Sequence, residues 1–279
     1  MSIKFGTAGV PLSSKEASTE AGILRIRELG MDAMEVEFVH GVRMKEDKAL
    51  KTGGTAKKER VSLSCHAPYY INLNSSETEK VEASKTRIMH TARIARILGA
   101  GSIVFHPAFY SGDTSDTVLA RVVKELSDVR QELDQEGNQV ILRPETTGKP
   151  SQFGDLGETI KIAQEVPGVL PCIDFSHLHA RANGQFNSYD EFCAILEQTA
   201  EGLGEKWTSN AHFHISGIEY GPKGEKRHLV LQEADLKYRE ILKACLSFGI
   251  QGTVICESPK LEEDALILQK TYQELKAEH

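Results

Sequence analysis

The sequence predicts an α/β protein built as a single TIM (β/α)8 barrel over residues 1–279. Three observations carry that prediction. Eight short β-type runs recur along the chain, helical periodicity fills the intervals between them, and no Pro/Ser-rich linker or low-complexity tract divides the sequence. The runs are rich in Val, Ile and Phe, and several are almost continuously apolar, as in parallel strands buried on both faces.

Taken in order, the first strand is expected at IKFGTA (3–8). No GxGxxG follows it, so the doubly wound open sheet, the alternative for such a pattern, lacks its fingerprint. The helical run STEAGILRIRELG leads into AMEVEFV (33–39). HGVRMKEDKALKTGGTAKKER then holds seven Lys or Arg against three acids, a solvated helix face or a phosphate-contacting one, and precedes VSLSCHA (61–67). KTRIMHTARIARIL precedes SIVFHPA (102–108). In TVLARVVKELSDVRQEL, Val122, Leu126, Val129 and Leu133 fall on one helical face before QVILRPE (139–145). GVLPCIDF (168–175) and NAHFHIS (210–216) follow. EADLKYREILKACLSFG, with Leu236, Ile241 and Cys245 inward and Gly249 as C-cap, introduces GTVICES (252–258).

Composition bounds the function. Hydrophobic residues make up 40% and charged residues 26%, normal for a protein with a large core. A net charge of −7 argues against non-specific coating of nucleic acid but leaves room for a local basic surface. The five cysteines (65, 172, 193, 245, 256) form no CxxC pair and are odd in number, which reads as reduced thiols in a cytoplasmic protein. MSIKFGTAGV has no signal-peptide pattern and no apolar run approaches a membrane span, so no membrane is expected.

In such a barrel the functional side chains lie at the C-terminal ends of the strands. Reading those ends in turn gives His66, His106, Glu145, Asp174 with His177, His214 and Glu257, and the loop after strand seven adds His228 in GEKRHL. Any one alone is better read as a satisfied core residue. Together, at one end of one barrel, they are a metal cup. Imidazole and carboxylate suit Zn²⁺, with Mn²⁺ or Fe²⁺ as alternatives, and the absence of cysteine argues against a closed structural zinc site. The set is too large for one ion and sufficient for two or three. A bridging carboxylate such as Glu145 can hold a pair that generates hydroxide and clamps an in-line displacement at phosphorus. His212 shares a strand face with His214. His179 lies past its strand end and is left unassigned, while His40, His90 and the terminal His279 read as surface residues.

At these residues the chain resembles the endonuclease IV family of apurinic/apyrimidinic-site endonucleases, within the xylose-isomerase-like barrel superfamily. HAPYYINL (66–73), FHPAFY (105–110), RPETTGK (143–149), IDFSH (173–177), HFHIS (212–216) and CESP (256–259) carry the resemblance, across strands three to eight. It implies three zinc ions: one held by His66, His106 and Glu145, a second by Glu145, Asp174, His214 and Glu257, a third by His177 and His228. Glu145 is the implied catalytic bridge and Tyr69 matches the aromatic probe that enters the duplex; Arg43 is a candidate phosphate contact, although no basic-aromatic RxW pattern stands there. The implied reaction is hydrolysis of the phosphodiester 5′ to an abasic site in duplex DNA, by a protein with no obligate protein partner. A flipped abasic nucleotide costs least where no base pairs or stacks.

The chain departs from the family pattern in three places. Lys226 stands two residues before His228, where the family has aspartate, which leaves a weak third site, one that borrows Glu225, or a Lys226 ammonium that offsets leaving-group charge, the reading taken here. GTAGVPLSS replaces the usual first-strand signature. GMDAMEVEF resembles the GxDxxE pattern of sugar isomerases and epimerases. A metal-dependent sugar isomerase or epimerase is therefore the alternative, using Glu145, Asp174, His214 and Glu257 for one ion. His66, His106, His177 and His228 distinguish the two, because a one-metal isomerase has no need of them. Arg43, Lys45, Lys149, Arg181, Lys223 and Arg227 are candidates for a phosphate-contacting rim, with Lys57, Lys58 and Arg60 at the opposite face.

Overall fold

The computed structural model describes residues 3–278; His279 lies outside them. Eight parallel strands form the barrel wall: β1 (Ile3–Ala8), β2 (Ala33–Glu37), β3 (Ser62–His66), β4 (Ser102–Phe105), β5 (Ile141–Pro144), β6 (Ile173–Asp174), β7 (Ala211–Ile215) and β8 (Gly252–Cys256). Their order around the wall is β5-β4-β3-β2-β1-β8-β7-β6. The circle closes between β5 and the segment before β6, through parallel bridges at Leu142–Val169 and Glu145–Cys172. The α/β barrel expected from the sequence is the observed fold.

The expected strands run longer than the observed ones at their C-terminal ends, because the chemistry-bearing residues leave the ladder. His106, Glu145 and Glu257 each stand just past the ladder's last residues. The largest difference is at 168–175, where only Ile173–Asp174 are strand. Pro171 lacks an N–H and interrupts the pairing. Asp174 then ends the strand and starts a helix at once, its Oδ1 accepting the His177 N–H at 2.7 Å as N-cap of the helix Phe175–Arg181.

The outer helices bury the faces their periodicity specifies. In the helix Ser115–Gln135, Val122, Leu126, Val129 and Leu133 are all fully buried, and Thr114 caps its start. The helix Leu156–Glu165 opens on a complete capping box, Asp155 with Glu158. In the helix Tyr238–Ser247, Ile241 and Cys245 face the core; Leu236 is buried just ahead of it, and Gly249 follows the C-cap with a left-handed φ of +62°. All five cysteines are free thiols. Among the described residues no helix is long and apolar enough to cross a membrane.

Two short antiparallel ribbons roof the C-terminal end. One pairs Ala108–Phe109 with Gln152–Phe153; the other pairs Gly217–Gly221 with Gly224–Leu229 and has a bulge between Glu219 and Tyr220. That bulge bears directly on the metal cup.

Candidate metal centre

The strand-end residues converge on one cup of about 330 Å3, lined by His66, His106, Glu145, His177, Glu225, His228 and Glu257 together with Tyr69, Phe109 and Lys149. Three clusters have ligand atoms within 4.8 Å of one another: His66–His106–Glu145, Glu145–Asp174–His214–Glu257, and His177–His228–Glu257. Glu145 belongs to the first two and Glu257 to the last two. The structure therefore places all eight sequence-derived candidates together.

Glu145 is the centre of the cup. Its fully buried carboxylate lies 2.9 Å from His106 Nε2, 3.3 Å from His66 Nε2, 3.1 Å from His214 Nδ1 and 3.3 Å from His177 Nδ1. Burial alone would raise its pKa, but the facing His106 and His214 imidazoles outweigh burial and hold it well below the ordinary carboxylate range. Burial likewise works to lower His66, and the Glu145 and Glu37 carboxylates outweigh it, so His66 is pushed up to about 10. Glu257 is drawn down to about 2, burial being outweighed by His214. Asp174 goes the other way, up to about 7, with burial dominant.

Hydrogen bonding shows that these residues fit a cation. His66 Nδ1 donates to the Ala67 carbonyl at 2.8 Å, so in the neutral ring Nε2 is a bare lone pair facing a carboxylate. His177 Nδ1 donates to the Thr146 carbonyl at 2.9 Å, which leaves its Nε2 bare, 3.6 Å from Glu225. His214 Nε2 lies 2.9 Å from Glu35 Oε1 without hydrogen-bond geometry, both atoms being buried without a hydrogen-bond partner, while its Nδ1 lies 3.1 Å from Glu145 and 3.3 Å from Glu257. Lone pair facing carboxylate is repulsive unless a proton or a metal ion lies between. Fixing one ring nitrogen on a second partner and freeing the other is the usual way proteins orient a ligating histidine. Asp174 completes the pattern: Oδ1 is spent on the helix cap and Oδ2 is buried without a partner. Cys172, His212 and His214 form a further group. Burial raises the Cys172 thiol pKa far above its ordinary value, so it stays protonated and is a poor ligand.

Two acids stand outside the eight strand-end candidates: one was given no role by the sequence, and the other was raised there only as a substitute ligand for the third site. Glu35, fully buried on β2, contacts His214 at 2.9 Å and His212 at 3.1 Å, and accepts from Ser64 Oγ at 2.6 Å. The period-two pattern of MEVEF, with acids at 35 and 37 on a buried strand, was the signal available. The second is Glu225, whose carboxylate lies 3.6 Å from His177 Nε2 and 4.0 Å from His228 Nε2. The ribbon register pairs Glu219 with Arg227 but Tyr220 with Glu225, so Lys226 is the extra, bulged residue. A bulge brings residues three apart to one face, here Glu225 and His228. Lys226 itself turns outward and lies 3.2 Å from Glu219, so the leaving-group role expected for its ammonium is corrected.

The remaining candidates divide. Tyr69 is 56% exposed and Phe109 39%, and both line the cup; Tyr70, 68% exposed, is not among the lining residues. Arg43 is exposed in the loop after β2, and Lys45, Lys149 and Lys223 are exposed too. Arg181 is not available for phosphate: its guanidinium holds the Lys149 and Gln152 carbonyls, Thr147 Oγ1 and Tyr110 Oη. Arg227 is paired with Glu219. Lys57, Lys58 and Arg60 end the helix that feeds β3 from the opposite face. His40 and His90 are exposed. His179 bonds the Gln185 carbonyl and Asp235, a structural tie in place of a metal role.

Comparison with known proteins places the chain in a family. The family model for the xylose isomerase-like TIM barrel matches residues 23–276. The chain belongs to that family. Within it, an uncharacterised protein of Methanocaldococcus jannaschii is 47% identical over 97% of both chains. A probable endonuclease 4 of Streptomyces avermitilis is 27% identical over 65% of this chain and 63% of its own length. Two solved structures share the family fold with a TM-score of 0.73 each. Endonuclease IV from Thermus thermophilus covers 99% of this chain and 100% of its own at 15% identity, and a D-tagatose 3-epimerase-like protein covers 99% and 97% at 18%.

Proposed function

We propose that this family member is an endonuclease that hydrolyses the phosphodiester 5′ to abasic sites in duplex DNA, using two or three Zn²⁺ ions. One observation carries the reading: three ligand clusters share Glu145 and Glu257 in a single cup whose lining includes two exposed aromatic rings, Tyr69 and Phe109. Bound ions would supply Lewis acidity at phosphorus and a water of lowered pKa. The chain's own residues do the rest. Glu145, buried and anionic, joins the first two clusters, and the carbonyls that hold Nδ1 of His66 and His177 leave Nε2 of each ring as the free nitrogen. Glu225 joins His177 and His228 in the third cluster, in the place of the missing aspartate. Tyr69 stacks against the duplex beside the lesion, sequence-tolerantly, as exposed aromatics do with bases. Arg43 and Lys149 meet the backbone phosphates.

A second reading has its own support, because Glu145, Asp174, His214 and Glu257 alone suffice for a one-metal sugar isomerase or epimerase, and the fold is equally close to an epimerase-like protein. That reading leaves His66, His106, His177 and His228 without a task. The test is incision of a duplex oligonucleotide bearing one abasic site by protein loaded with Zn²⁺ or Mn²⁺, with ketohexose interconversion assayed alongside. Cleavage on the 5′ side, abolished in Glu145→Gln, is the expected result. Ketohexose turnover without incision by fully metallated wild type would replace the proposal with the second reading.

A further inference from the structure

At the opposite mouth of the barrel lies a separate cavity of about 380 Å3, formed by the N-terminal ends of the strands and sharing no lining residue with the metal cup. Its volume falls in the roughly 300–1,000 Å3 range of small-molecule sites. Lys4 on β1, Ser64 on β3, Ser102 on β4, Arg143 on β5, and Asn210 with His212 at β7 line it, and no Asp or Glu does.

Arg143 is the anomaly there. It is 2% exposed, yet no carboxylate among the described residues lies within ion-pair distance. Its guanidinium bonds only neutral oxygens: the Asn210 carbonyl at 2.9 Å, Asn210 Oδ1 at 3.1 Å and the Pro171 carbonyl at 3.3 Å. Nε has no partner at all. A buried, unpaired charge is costly, and proteins retain one where something else neutralises it. Lys4 adds a second cation whose side-chain bond goes to a hydroxyl, Ser62 Oγ at 2.6 Å. The Glu35 carboxylate lies beyond Ser64 and His212, bonds both, and offsets part of the Arg143 charge from a distance without pairing with it.

We propose that this cavity binds a small phosphate-type anion, free phosphate or a phosphomonoester, between Arg143 and Lys4 with the serine hydroxyls as further donors. A buried guanidinium with an unpartnered Nε–H, an ammonium and the Ser62 and Ser102 hydroxyls, in a cavity lined by no acid, are a donor set that tetrahedral oxyanions take. The site is independent of the reaction at the metal cup.

The experiment uses the metal-loaded protein. Inorganic phosphate and, separately, glycerol 3-phosphate are titrated while the ring signals of His212, which lines the cavity, are followed by NMR. The expected result is a saturable His212 shift whose midpoint weakens at least about tenfold in Lys4→Met, the loss of one charge-assisted contact. Lys4 is an exposed strand residue, so that variant keeps the fold; Arg143→Lys, which keeps the charge but loses the fork, weakens binding as well. Tighter binding of glycerol 3-phosphate assigns a phosphomonoester, and equal or weaker binding assigns free phosphate. A His212 signal that does not move, or that moves alike in wild type and Lys4→Met because phosphate has bound only at the metals, overturns the proposal.

Discussion

Glu35 offers the sharpest test of the metal cup, because it touches no proposed ion and was not among the residues the strand ends pointed to. Its two oxygens hold His214 on one side and His212 with Ser64 on the other, all within 2.6–3.1 Å. In Glu35→Gln the amide oxygen can still face His214 Nε2 across the same 2.9 Å contact, and the amide N–H can face His212 and Ser64, which adapt by switching tautomer or rotating. Shape survives and only the charge is lost. Partners at this remove are worth roughly 10–100-fold in metal affinity, and the conserved geometry places Glu35→Gln near the lower bound, about tenfold or ~1.4 kcal/mol. Glu35→Ala strands both imidazoles and belongs near the upper bound, about 100-fold. The assay is Zn²⁺ titration against a competing chelator, with Ser64→Ala as control for the shared hydroxyl. Affinities within twofold of wild type for both Glu35 variants would refute the assignment of His214 as a ligand oriented by Glu35.

Three further outcomes follow from the same geometry. Tyr69→Ala should weaken binding to an abasic duplex by about 1–3 kcal/mol with catalysis once bound largely kept, measured by fluorescence anisotropy alongside single-turnover cleavage. His66 titrates at about 10 when folded against 6.5 when free. Its contribution to apo-protein stability is thus fully present below 6.5 and lost as pH rises through 10, so the apo melting temperature should fall across that window and the stabilisation by added Zn²⁺ should grow. Glu225→Gln should weaken the last-filling metal site in a Zn²⁺ titration, whereas deleting Lys226 should not, because Glu225 and His228 would then be two apart on a regular strand and still share a face.

Much of this site was legible in the sequence for one reason. A barrel gathers the C-terminal ends of its strands, so His66, His106, Glu145, Asp174, His214 and Glu257 can be placed together without knowing a single distance. What was not legible depends on partners the chain supplies from elsewhere. Arg181 reads as a phosphate contact, yet the loop at 147–152 turns its carbonyls onto the guanidinium. His179 reads as a neighbour of the cup, yet Asp235, distant in sequence, claims it. Glu35 reads as one acid in an alternating strand, and only the barrel's closure brings His212 and His214 to it. Periodicity reports which way a side chain faces but not what stands opposite.

Lys226 shows the same limit from the other direction. Set against a pattern with aspartate two residues before the histidine, it looks like the loss of a ligand. Spacing by two specifies a shared face only on a regular strand, and a bulge moves that relation to residues three apart. The chain bulges at Lys226, with Glu219 opposite Arg227 and Tyr220 opposite Glu225, and Gly148 lets the ribbon close in: a Cβ there would come within 2.6 Å of the Glu225 carboxylate and 3.0 Å of His177. A lysine inserted on the outer face and a glycine beneath the inner one are thus parts of a single arrangement. On the proposed reading the carboxylate is not lost from the third site but is delivered one residue earlier, by a longer side chain on a bent strand, 3.6 Å from His177 and 4.0 Å from His228.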